Sequence, residues 1–224
     1  MVKSRPLNSL SLPEIGRSRA TVYQWFSQQL RVELTSVQWQ ALAEGRQAQF
    51  FAVLAENDLA VEVQAYLEAV ASLAKAEEAA LLLASDFTHA FLLDEHSSAL
   101  PYASAYEADG NGQLYGASAK IMHYFLQARG LVLNADFKEP EDHIAIYLAV
   151  LAHMANGDGG VDKGLTLAEQ QRFLQEALLP WLPDFVDKCQ ALPLHSQVYP
   201  ALLRLLQAFV AQDQAFLSTY ASAA

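Results

Sequence analysis

An all-α fold is predicted by three features of the chain: helix-start signals recur from one end to the other, apolar residues repeat at spacings of four and seven, and runs alternating apolar with polar are absent. The clearest starts are three capping boxes. Ser11 with Glu14, Thr35 with Gln38 and Thr166 with Glu169 each pair a side-chain oxygen with orphan amides of a first turn, so helices begin near residues 12, 36 and 167. In the first of these, Ile15, Val22, Phe26 and Leu30 form one apolar stripe. The segment Asp58 to Ser72 repeats the pattern with Val63, Leu67 and Val70. Both stripes need partners.

Glu77 to Leu93 is rich in alanine and leucine, with Phe87 and Phe91 one turn apart, and reads as a central helix. Asp94 to Tyr115 then loses the helical period. Pro101 and the run Asp109-Gly-Asn-Gly112 form turns, and the interspersed tyrosines mark this long loop as functional rather than disordered. Helix resumes over Gly116 to Arg129 and Gly130 ends it. A connector leads to a helix that Pro140, at its first position, opens and that runs to about Asn156. Breaks at Gly157-Asp-Gly-Gly160 and around Pro180 and Pro183 precede a last long helix, from about Ser196 to Tyr220. Roughly ten helices result. They divide into a larger N-terminal part (1–130), a connector (131–139) and a smaller C-terminal part (140–224). Such a connector is where two protomers could exchange halves, which allows a domain-swapped homodimer beside the monomer.

Composition narrows the function. Hydrophobic residues are 53% and charged residues 17% of the 224, enough for a real core, yet no apolar run approaches the roughly 18 residues of a membrane span. The start, Met1 to Pro13, is polar and carries two prolines, unlike an export signal. Cys189 is the single cysteine, so no internal disulfide and no thiolate cluster is available and the cytoplasm is expected. A formal charge of -11, with 14 Lys and Arg, argues against nucleic acid; it suits a basic peptide as partner, although solubility alone accounts for it more simply.

Catalytic and ligand motifs are weak. Ser72-Leu-Ala-Lys75 has S-x-x-K spacing without the companion motifs, and Gly116-Ala-Ser-Ala-Lys120 is not a nucleophile elbow. The six histidines (89, 96, 123, 143, 153, 195) offer no pair at i, i+4 to hold a metal. Asp158, Asp162 and Glu169 occupy three positions of a calcium-loop template, but Gly160 and Lys163 stand where a ligand and a glycine are required. The Gly-Asp-Gly-Gly run lacks the ending of a phosphate loop. What remains is Glu139-Pro-Glu-Asp-His143. Three carboxylates in a first helical turn would suit the helix dipole at about 0.3 to 1 kcal/mol each. The acids beside His143 would raise its pKa.

That cluster resembles the E-P-x-D-H signature of the TorD, DmsD and NarJ chaperones. Pro101-Tyr-Ala-Ser-Ala-Tyr106 resembles the aromatic loop that precedes the signature in this family, and the likeness extends through Leu114-Tyr-Gly116. The resemblance implies a non-catalytic, all-helical cytoplasmic protein. It would bind the twin-arginine leader and the apo-form of a molybdenum reductase, with trimethylamine N-oxide reductase as the expected client, delaying export until the cofactor is inserted. It implies no resident cofactor, although some members bind GTP weakly. Carried over, the client contacts are Phe87 and Phe91, Pro101, Tyr102 and Tyr106, Tyr115 and Gly116, and Glu139, Asp142 and His143. Chemically, Glu139 and Asp142 would accept guanidinium hydrogen bonds while the aromatics receive the apolar part of the leader. Two rivals stay open: Asp142 and His143 as an acid-base pair acting on GTP, and an acidic adaptor that binds a folded partner.

Overall fold

The computed structural model describes residues 11–107, 114–133, 137–157 and 166–221. Ten α-helices occur among them: α1 (Leu12–Arg31), α2 (Ser36–Ala43), α3 (Ala48–Leu54), α4 (Ala60–Leu73), α5 (Ala79–Phe91), α6 (Ala117–Ala128), α7 (Ile144–Asn156), α8 (Leu167–Phe173), α9 (Leu182–Gln190) and α10 (Val198–Ala221). The class is all-α; the described residues contain no strand. All three capping boxes start their helices where the residues place them. At Thr35, for instance, the Gln38 amide donates to Oγ1 at 3.3 Å while the Thr35 amide donates to Gln38 Oε1 at 2.8 Å. The Asp109–Gly112 turn and the acidic segment Asp158–Lys163 lie outside the described residues.

One apolar core runs through the bundle. α1 and α7 lie antiparallel along its axis: Gly16 abuts Ala155 at one end, and the Ser27 hydroxyl donates to the Ala145 carbonyl at 2.7 Å at the other. Gly16 is required for this approach, since a Cβ there would meet the Ala155 oxygen at 2.5 Å. The stripe on α1 fills the core with Phe26 and Leu30, both almost wholly buried, while Ile15 stays partly exposed. Burying each such side chain stabilises the fold by roughly 1.5–3 kcal/mol. α10 closes the bundle with Leu203, Leu205, Leu206 and Val210. Its start is fixed by the fully buried Asp86 of α5, which accepts from the amides of His195 and Ser196 at 2.7 and 2.9 Å and from the Ser196 hydroxyl at 2.7 Å.

Two features depart from the sequence reading of the helices. The segments Ala55–Leu59 and Leu174–Leu178 are π-helical turns; in the first, Asn57 and Asp58 leave helical geometry, Asp58 with φ 60°. α7 begins at Ile144, with His143 as its N-cap, and not at Pro140. The cause is tertiary: residues 142–144 are held extended against the loop before α6, with Ala103 N–H donating to the Asp142 carbonyl at 3.1 Å and Ile144 N–H donating to the Pro101 carbonyl at 2.7 Å. The three carboxylates of the signature therefore lie ahead of the helix, and its first turn contains no acid.

Candidate functional site

The two segments singled out by the sequence meet. Tyr102 and His143 form an isolated antiparallel bridge, their rings edge to face at 5.1 Å. Phe137 packs on the other side of the imidazole at 5.2 Å, and Arg31 lies 5.0 Å over Phe137. His143 Nδ1 accepts from the Ala145 amide at 3.1 Å, so the ring itself caps α7. This geometry corrects the expected raised pKa. Burial removes His143 from water and pushes its pKa down to about 3. It is a neutral cap, not an imidazolium held by acids.

Asp142 is equally enclosed, at 0% exposure. Its Oδ2 accepts from the Ser104 amide at 2.8 Å, and Oδ1 and the Ser104 hydroxyl have no partner among the described residues. Tyr102 donates to Glu139 Oε2 at 2.6 Å, and burial together with this bond raises the phenol's pKa. Pro101 is buried beside them. Tyr106, in a short 3-10 turn (Ala103–Tyr106), stacks on Trp181 at 5.7 Å with Lys188 at 5.9 Å over its ring. The next residue, Glu107, caps α6 by accepting from the Ser118 and Ala117 amides at 2.7 and 3.2 Å. Burial works to raise its pKa, but these bonds outweigh it and hold the carboxyl below its ordinary range. Gly116 is the space that this cap needs, since a Cβ there would meet Glu107 Oε2 at 2.7 Å.

Phe87 and Phe91 stand apart from this cluster. Both are buried, packed edge to face on each other at 5.2 Å and on Tyr199 at 5.7 and 5.3 Å. Of the ten residues that the sequence nominates, the structure brings Pro101, Tyr102, Glu139, Asp142 and His143 into one clasp. It places Tyr106 and Gly116 at the clasp's edge and keeps Phe87 and Phe91 in the core. Only Tyr115 and Glu139 are openly exposed. They border a cavity of about 540 Å³ with Lys120, His123, Tyr124, Lys138 and Glu141. His123 Nδ1 lies 2.9 Å from Glu141 there. The sequence reading missed these α6 residues. The available signal was Ala117, Ile121, Tyr124 and Ala128, an apolar stripe at spacings of four, three and four that stays exposed.

A polar clasp between a loop and a helix cap, exposed at Glu139 but with Asp142 and His143 enclosed, describes a binding scaffold better than a reaction centre. Comparison with known proteins places it. Residues 56–187 match the family model described as nitrate reductase delta subunit. The chain is similar to a chaperone protein TorD of Psychrobacter sp. (strain PRwf-1), 39% identical over 96% of this chain and 99% of that one. It is also similar to chaperone protein TorD of Vibrio cholerae (strain O395), 35% identical over 89% and 92%, and of Escherichia coli O81 (strain ED1a), 35% identical over 87% and 94%. The chain belongs to the TorD/NarJ family of molybdoenzyme-maturation chaperones, a family of chaperones and not of catalysts.

Proposed function

We propose that this chain is a cytoplasmic chaperone that binds the twin-arginine leader and the immature catalytic subunit of a molybdenum reductase, with trimethylamine N-oxide reductase as its client. It delays export until the cofactor is in place. The observation that carries this reading is the near full-length relation to chaperones named TorD, with the Glu139-Pro-Glu-Asp-His143 signature and its tyrosine loop intact. The acidity of the chain, at -11, suits a basic leader. Exposed Tyr115 and Glu139 are the part of the signature region from which a guanidinium could be received by stacking and a charge-assisted bond. The buried members Asp142, His143 and Tyr102 hold that region in shape. Division at the 131–139 connector, with exchange of halves between two copies, belongs to the same proposal. α1 and α7 lie on either side of that connector in sequence, and their packing would then form between protomers.

Hydrolysis of GTP by Asp142 and His143 finds no support in the geometry, because both side chains are enclosed and engaged with backbone amides. The test of the proposed function is calorimetric titration of the full chain with a trimethylamine N-oxide reductase leader, beside the same peptide with both arginines changed to alanine. Binding lost by the control supports leader recognition. Equal binding of both peptides overturns it in favour of an adaptor indifferent to the arginines, and binding of neither sinks the leader part of the reading.

A further inference from the structure

Two openings of the molecule differ in the charge they offer. A groove of about 600 Å³ between α1, α3 and α10, walled by Phe50, Val53, Phe209 and Phe216, has one cation on its floor, Arg19, and both carboxylate oxygens of Asp213 bind it. An occupant there meets hydrocarbon and a closed ion pair. The cavity of about 540 Å³ beside the signature instead carries two carboxylates with acceptor sites to spare. Glu139 accepts from Tyr102 at Oε2, and its Oε1 makes no hydrogen bond among the described residues. Glu141 bonds there to His123 alone, whose Nδ1 lies 2.9 and 3.0 Å from its two oxygens. This pair is open to water, the imidazole 45% and the carboxyl 34% exposed, so a permanently charged partner can displace the histidine.

Glu139 and Glu141 stand on either side of the buried Pro140, Glu141 at the position that the E-P-x-D-H pattern leaves open. The same cavity presents two exposed rings, Tyr115 and Tyr124. Tyr115 is held at φ 65°, a backbone conformation that costs a non-glycine residue and persists where the surroundings impose it. Lys120 and Lys138 line the cavity as well, so two ammonium groups balance the two carboxylates and the empty site draws no cation by net charge. What it can select is shape. A guanidinium is a planar fork that donates two bonds to a carboxylate while its face lies on a ring, and an ammonium has no such plane. Arginines adjacent in a chain start about 3.8 Å apart, so one placed on Glu139 leaves its neighbour within reach of the same cavity, where Glu141 is the remaining carboxylate. We infer that Glu141, with Tyr124, receives one arginine of the leader's pair while the other lies on Glu139 and Tyr115, so that the cavity reads two neighbouring guanidinium groups. The inference rests on the leader-binding reading above and adds to it the residues that make the site double.

Calorimetric titration of the intact chain with three peptides tests this: the leader, and the leader with one or the other arginine changed to alanine. Glu141→Gln is expected to bind the leader about tenfold more weakly than wild type, the loss of one charge-assisted pair. Against one single-arginine peptide the same substitution should change affinity less than twofold, because its partner is already gone; against the other the tenfold loss should persist. Glu139→Gln should show the reverse pattern, and Tyr124→Ala should follow Glu141→Gln. Glu77→Gln, at an exposed position outside the cavity, should bind the leader within twofold of wild type. Circular dichroism checks that all four variants keep their helix content. If Glu141→Gln binds the leader like wild type while the peptide without arginines still fails to bind, the assignment of Glu141 is wrong and leader recognition stands. If Glu141→Gln is weakened equally against both single-arginine peptides, or Glu77→Gln is weakened as much, net charge is responsible and the assignment is also wrong. Absence of binding by the wild type removes both readings together.

Discussion

The signature clasp and the α1–α3–α10 groove are opposites in construction. The clasp is polar, largely closed and recognisable from sequence: Tyr102, Asp142 and His143 are buried, Asp142 accepting from the Ser104 amide, His143 from the Ala145 amide, and Tyr102 donating to Glu139. The groove is apolar, open and carries no motif, and its residues come from three helices far apart in the chain. A recognisable motif here marks a junction built one way, because each of these members makes a specific hydrogen bond. The groove is walled by Phe, Val, Leu and Ala that look like any core helix. Recognition of a family and location of its open surface are thus different problems.

The contrast sharpens first at the floor of the groove. Replacing Asp213 by alanine leaves the Arg19 guanidinium buried beside Gln170, the Tyr23 hydroxyl and the ring of Phe216, 5.1 Å away, with no carboxylate hydrogen-bonded to it among the described residues. Removing one partner of a buried ion pair costs about 3–5 kcal/mol. Urea unfolding at neutral pH should therefore show Asp213→Ala as the most destabilised variant considered, and a loss under 1 kcal/mol would mean that the network is not the groove's foundation.

Next in size is a pH effect that belongs to the clasp alone. His143 has a folded pKa of about 3, against about 6.5 in an unfolded chain. Between those values the unfolded state binds the extra proton, so the stabilisation from a neutral His143 is complete above about pH 6.5 and is lost as pH falls toward 3. The slope approaches 1.4 kcal/mol per pH unit. His143→Asn keeps an acceptor for the α7 amides but does not titrate there. Its stability should fall less steeply than that of wild type between pH 6.5 and 5. Parallel curves for the two proteins would mean that the ring is protonated in the folded state.

How much of this was legible follows from where the forces act. The capping boxes at Ser11, Thr35 and Thr166 are local, closed within four residues, and could be read directly. The start of α7 could not. Pro140 followed by two acids is a good local N-terminus, and it loses to the backbone pairing of residues 142–144 with Pro101 and Ala103, some forty positions away. His143 was misjudged for the same reason: its acidic sequence neighbours suggested a raised pKa, but burial between Tyr102 and Phe137 governs it. The Arg19–Asp213 pair joins residues 194 positions apart, and no spacing rule announces it. The resemblance supplied the family; it did not supply which members of the signature face water.

A smaller effect tests whether the clasp is held by its polar contacts. Tyr102→Phe removes only the hydroxyl that donates to Glu139 at 2.6 Å, and Glu139 is exposed, so its carboxylate regains water when the donor goes. The expected loss is about 1 kcal/mol, near the usual net value of one hydrogen bond. It should appear as a lower urea midpoint with an unchanged slope. A loss well above 2 kcal/mol would mean that the bond positions the whole loop, and the variant would then disturb leader binding as well.

The smallest stability change is expected at the exposed wall of the groove. Val53 is 43% exposed and its side chain faces the groove, so Val53→Asp creates no cavity and buries no unpaired charge in the free protein; its unfolding free energy should stay within about 0.5 kcal/mol of wild type. Asp213→Ala is the reverse case, a foundation residue whose loss lowers stability whatever the partner does. Measured side by side by urea unfolding, the two variants separate a residue kept for folding from one available for contact. A destabilisation by Val53→Asp beyond 2 kcal/mol would show that α3 closes over this position in solution, and the groove would then belong with the clasp as a part of the interior.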